Sequence, residues 1–140
     1  MGRVAEFFAL ERDERRLLIE AALALAWTRA QLVAMPFERV RRVASVAEER
    51  RSPVAREMLA GRIIRAVERA SSVVPGTRNC LVRAIAARRM LARAGLRSEL
   101  RIGVAKDASD GLTAHAWLDG EDGAILIGAF EPGRYIRLER

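Results

Sequence analysis

The feature that most limits what this chain can fold into is a change of hydrophobic period at Gly95. Before it, apolar residues recur at steps of three and four: Cys80, Ala84, Ala87 and Leu91 form one such stripe. After it, Leu100, Ile102 and Val104 alternate with Arg101, Gly103 and Ala105, the period of a strand. Helices followed by strands predict an α+β domain in which helices pack on a small antiparallel sheet. A chain of 140 residues makes one such domain, spanning 1–140, with a core that needs no disulfide or metal staple. Residues 1–72 form its helical subregion, and 73–140 carry a cysteine-bearing helix and the sheet.

Taken in order, Glu6 to Met35 reads as helix, with a break near Asp13, because no Gly or Pro interrupts an Ala-, Leu-, Glu- and Arg-rich run. Ala21 to Trp27 is almost wholly apolar, which predicts cover on most sides. Pro36 ends this run, and a short basic helix starts at Phe37. Ser52-Pro53 caps and opens a helix to about Ser71, with Val54, Met58, Ile64 and Val67 on one face. Pro75-Gly76 turns the chain, Thr77 or Asn79 caps the next helix, and Gly95 closes it. Strands follow over 96–105, 112–119 and 124–130, the last two joined by the turn Gly120-Glu121-Asp122-Gly123, with a short edge strand at Tyr135 to Leu138.

Charge is divided along the same line. Residues 1–97 hold 20 arginines against 10 acids, whereas residues 98–140 hold 5 basic and 8 acidic residues. Lys106 is the only lysine. Two readings of this excess stay open: a genome that encodes Arg for Lys, and a surface for an acidic partner. Few aromatics and no helix-turn-helix or RNA-binding signature disfavour nucleic acid. Leu17 to Met35 is the nearest approach to a membrane span, but Glu20 or Arg29 near a bilayer core would cost roughly 2.5–3.5 kcal/mol each. With no secretory signal in view, the expectation is a cytoplasmic protein with no membrane partner.

The chemistry rests on two residues that each occur once. Cys80 starts a helix and His115 sits in the strand Thr113-Ala114-His115-Ala116-Trp117, an arrangement suited to a thiol nucleophile and its base. A helix start favours the thiolate and leaves the Cys80 N–H free to stabilise an oxyanion. One Cys cannot form an internal disulfide, and one Cys with one His does not make a zinc site of the usual kind. No metal or cofactor is expected.

The segments Pro75, Cys80-Leu81-x-Arg83-Ala84, Leu91, Gly95-Leu96, Ile102-Gly103-Val104 and Ala114-His115-Ala116-Trp117 followed by Gly123 resemble the small transglutaminase-like cysteine peptidases of lasso-peptide maturation. Glu131 to Leu138, with Arg134-Tyr135, is similar to that family's tail, so the resemblance covers roughly residues 60–138. It implies a transglutaminase- or papain-like fold and a hydrolase that removes the leader from a ribosomally made precursor peptide. It also implies two separate partners: a small leader-recognition protein and an ATP-dependent macrolactam cyclase.

The resemblance further implies an acid after His115, on the next strand. A four-residue turn would pair 119 with 124, 117 with 126 and 115 with 128, placing Gly128 opposite the imidazole. Asp119 lies four residues along the same strand, roughly 13 Å away, and Asp122 is at the turn. Glu131 is the best remaining carboxylate for the third position; a backbone carbonyl or water can serve instead. Trp117 shares His115's face, either shielding the pair, walling a peptide groove or packing in the core. Residues 62–97 hold nine arginines against Glu68 alone, and Arg62 and Arg69 are candidates for docking the leader or its recognition protein. The other readings are a non-catalytic scaffold of a maturation complex and a basic nucleic-acid-binding module.

Overall fold

The computed structural model describes residues 2, 5, 8–40, 52–106, 111–120, 125–127 and 136–137. Among them the helices are α1 (Arg12–Ala34), α2 (Phe37–Val40), α3 (Pro53–Ser71) and α4 (Cys80–Arg93). The strands are β1 (Ser98–Lys106), β2 (Leu112–Gly120), β3 (Ile125–Ile127) and β4 (Ile136–Arg137). All pairings are antiparallel, in the order β3-β2-β1-β4. The fold is the expected α+β: three long helices pack on one another, and α4 lies against the sheet.

Local chemistry accounts for the helix ends. The Ser52 hydroxyl accepts from the Ala55 N–H at 3.2 Å, and Pro53 occupies the first helical position, where its missing N–H costs nothing. The break expected near Asp13 falls at Glu11, which is extended and precedes α1. Gly95 takes a positive φ of 83° after α4, and the Leu96 N–H returns to the Leu91 carbonyl at 2.8 Å, a helix-closing geometry that favours glycine.

The core centres on α4. Ala84, Ile85, Ala86, Ala87 and Leu91 are almost fully buried, so the small-residue stripe does bring this helix close to its neighbours. Ala21 and Leu25 of α1, Ile63 and Val67 of α3, and Ala116 and Leu118 of β2 complete the cluster. Burying each larger aliphatic side chain contributes about 1.5–3 kcal/mol. One polar clamp runs through this packing. Arg89 donates to Thr28 Oγ1 at 3.2 Å, to Gln31 Oε1, and to the Val40 carbonyl at 2.8 Å, tying α4 to α1 and α2. Burial, and then the charge of Arg93, holds its guanidinium pKa below the usual value.

Three expectations are corrected. First, α1 is covered on one side only: Ala21, Leu25 and Thr28 are buried, while Leu23 is 66% and Trp27 64% exposed. Ile19, Leu23 and Trp27 step by four residues, so the opposite face of the helix is itself an apolar stripe. By length and composition α1 passes as a membrane span, but one side of it is built into the helical core. Second, Val54 and Met58 are exposed and do not share a face with Val67. At steps of four they continue to Arg62, whereas the buried face of α3 is Ile63, Ala66, Val67 and Ala70.

Third, the β2–β3 register differs from that of a four-residue turn. Asp119 pairs with Ile125 and Leu118 with Ile127, with an irregularity between them. Asp119 is already displaced by one residue, and the bulge at Leu126 adds a second, so the partner of Leu118 moves from 125 to 127. The argument that placed Gly128 opposite His115 therefore fails. Gly128 and Glu131 lie outside the described residues, as do the turn at 121–124 and most of the strand expected over 124–130.

Candidate active site

Cys80 is placed by the turn before it. Gly76 has a φ of 72°, a conformation that suits glycine, and the Arg29 guanidinium of α1 lies directly over it. Arg29 donates to the Gly76 carbonyl at 2.9 Å, and a Cβ at Gly76 would stand 1.8 Å from the same nitrogen. Thr77 is fully buried and donates its hydroxyl to the Val74 carbonyl at 2.7 Å, so it fixes the turn and does not cap α4. Asn79 is the cap: its Oδ1 accepts from the Leu81 N–H at 2.8 Å. Cys80, the first residue of α4, is half-buried with a free thiol.

Across the fold, the sulfur meets β2. The Ala116 N–H points at Cys80 Sγ, 3.4 Å away. Thirty-six positions separate these residues, and the amide belongs to the residue directly after His115. Strand amides lie near the plane of their sheet, so this contact brings the sulfur level with the backbone of β2. The thiol of one singly occurring residue thus meets the backbone of the residue that follows the other.

Alternation along β2 decides what surrounds the imidazole. Ala116 and Leu118 join the helical core, so His115, Trp117 and Asp119 take the other face. Trp117 is 2% exposed and stacks on His115, with ring centroids 6.3 Å apart and an interplanar angle of 20°. Opposite His115 on β1 is Gly103. Asp119 is engaged elsewhere: Arg101 Nε donates to its Oδ2 at 3.3 Å, and Arg101 also pairs with Glu99.

Arg62 and Arg69 are exposed on α3 and, with Arg65, line a groove against α1. They form a group apart from the Cys80 contact. One ion pair bridges the two regions: Arg83, one turn along α4 from Cys80, donates to Glu68 Oε2 at 2.8 Å. Among the described residues no group of three His, Cys, Asp or Glu converges to hold a metal ion.

Sequence reasoning missed the Ala116 amide, the Arg29 clasp and Gly103. Backbone groups leave no compositional mark, and the Pro75-Gly76 signal announces a turn without naming what packs on it. Arg65 was legible, since it continues the spacing of Arg62 and Arg69.

A family model described as the transglutaminase-like superfamily matches residues 17–138. Neither a curated protein nor a solved structure matches the chain. The match begins within α1 and takes in the other two long helices and the four strands, including both Cys80 and His115.

Proposed function

The chain belongs to the transglutaminase-like superfamily, and on that footing we propose that it is a cytoplasmic cysteine peptidase that removes the leader from a lasso-peptide precursor. The observation that carries this reading is the approach of the Ala116 N–H to Cys80 Sγ at 3.4 Å, which joins the only thiol to the residue that follows the only histidine.

In this mechanism His115 takes the Cys80 thiol proton as the sulfur attacks the scissile carbonyl carbon. The oxyanion that forms is stabilised by the Cys80 N–H, a first-turn amide with no acceptor inside the helix. Collapse of the tetrahedral species breaks the C–N bond, and the leaving amine takes the proton from His115. Water then attacks the thioester, gives its proton to His115, and releases the leader as a carboxylate with the thiol restored. The freed amine is the core peptide's new N-terminus, which an ATP-dependent cyclase would close into the macrolactam. A separate recognition protein would deliver the leader.

Trp117 supports the imidazole by stacking and keeps water from that side of the ring. Glu131 is the candidate to orient it. No metal or cofactor enters any step.

The test is leader cleavage read by mass spectrometry, with this chain, the recognition protein and the precursor mixed together. The wild-type chain makes one cut, and the Cys80→Ala and His115→Ala proteins make none. A cut that survives Cys80→Ala would discard the mechanism.

A further inference from the structure

Arg62, Arg65 and Arg69 step along α3 by three and four residues, so they share its exposed face. They rim a shallow groove of about 90 Å³ against α1, where Leu17, Leu18 and Ala66 supply apolar surface and Glu14 is the one carboxylate. Among the described residues none of the three guanidinium groups is held in an ion pair. The next acid along the helix, Glu68, is already paired with Arg83. Like charges one turn apart repel, so the row stands at a cost that a bound anion would relieve.

The groove also discriminates between kinds of anion. A single-stranded nucleic acid is bound by a cationic track with aromatic rings on which bases stack, and no aromatic residue lines this one. Apolar surface between guanidinium groups suits instead a peptide that carries an aliphatic side chain among carboxylates.

We propose that this groove binds an acidic segment of the peptide substrate, with its carboxylates on Arg62, Arg65 and Arg69 and an apolar side chain on Leu17, Leu18 and Ala66. The inference rests on the peptidase reading and adds the chemistry of what is bound. Its position agrees. Arg69 adjoins Glu68, whose partner Arg83 lies one turn from Cys80.

The experiment is a fluorescence-anisotropy titration of the full chain carrying Cys80→Ala. The probe is a fluorescein-labelled peptide of repeated Glu-Glu-Leu, compared with its Gln-Gln-Leu counterpart. The Glu peptide binds at least about tenfold more tightly, and the preference shrinks as salt rises. Arg62→Glu with Arg65→Glu and Arg69→Glu abolishes it; the same three positions changed to Gln weaken it without reversing charge. Arg12→Glu with Arg15→Glu and Arg16→Glu, on α1, leaves it intact. Equal binding of the two peptides would overturn the proposal, and so would equal loss from both sets of charge reversals. Displacement of the Glu peptide by a lower concentration of oligo-dT would also overturn it. Because binding is read with the thiol removed, failure here leaves the cleavage mechanism standing, and failure of Cys80-dependent cleavage leaves the groove standing.

Discussion

The two ends of α4 are held by different means. At its C-terminal end Met90 and Leu91 are buried in the core, and Arg89 fastens the helix to Thr28, Gln31 and the Val40 carbonyl. At its N-terminal end Cys80 is half-buried, and the turn before it is fixed by separate polar contacts from Arg29, Thr77 and Asn79. On the proposed peptidase reading this sulfur must meet a peptide and cannot be anchored by burial, so geometry has to be imposed on the chain leading to it. Both ends draw on the same turn of α1, since Thr28 and Arg29 are adjacent. Stability and thiol placement should therefore respond to different substitutions.

The largest expected effect lies at the buried end. Leu91→Ala removes a fully buried side chain and should cost about 2–5 kcal/mol, read as a lowered urea midpoint, while molecules still folded cleave at the wild-type rate. Arg89→Met strips donors from a buried hydroxyl, an amide and a carbonyl, and should cost about 1.5–3 kcal/mol. A large loss of cleavage by folded Leu91→Ala protein would erase the distinction between the ends.

At the other end Gly76→Ala should cost less stability, about 1–2 kcal/mol for the left-handed backbone, because Arg29 is long enough to move aside. Its effect on cleavage should be larger, about tenfold or more, since the displaced turn carries Cys80 with it. Asn79→Asp sharpens the contrast further. Aspartate caps as well as asparagine, so stability should hold to within a few tenths of a kcal/mol. The added carboxylate repels the attacking sulfur anion, so the iodoacetamide alkylation profile moves to slower rates. An unmoved profile would mean that the cap does not face the sulfur.

These differences track what the sequence could disclose. The bounds of α3 and α4 were legible because Ser52-Pro53, Asn79 and Gly95 are punctuation with known geometry. The pairing of Cys80 with the His115 segment was legible because each residue type occurs once. The cover over α1 was not: a helix apolar on both faces gives no sign of which face its neighbours take, and here the outer stripe through Leu23 and Trp27 stays open. Nor was the β3 register, because a bulge depends on how two strands twist together and not on the residue types at the turn. The proposed third position was argued from the four-residue-turn pairing, and that argument falls with it.

The smallest predicted effect addresses that position. Asp119 shares a face with His115 and is largely buried, two features that would recommend it as the orienting acid. Its carboxylate is instead turned to Arg101 at 3.3 Å, and four residues of strand separate it from the imidazole, roughly 13 Å. Asp119→Asn keeps an oxygen that can accept from Arg101, and Arg101 keeps Glu99, so the cost should be about 0.5–1.5 kcal/mol. Cleavage should stay within about threefold of wild type. Loss of an acid that holds a catalytic imidazole is far more severe, on the order of 10⁴-fold in the serine-protease case. A fall of that size in Asp119→Asn, with KM unchanged, would make Asp119 the orienting acid and require the imidazole to turn along β2 in the working enzyme. A fall of that size in Glu131→Gln, with Asp119→Asn near wild type, would assign the third position to Glu131.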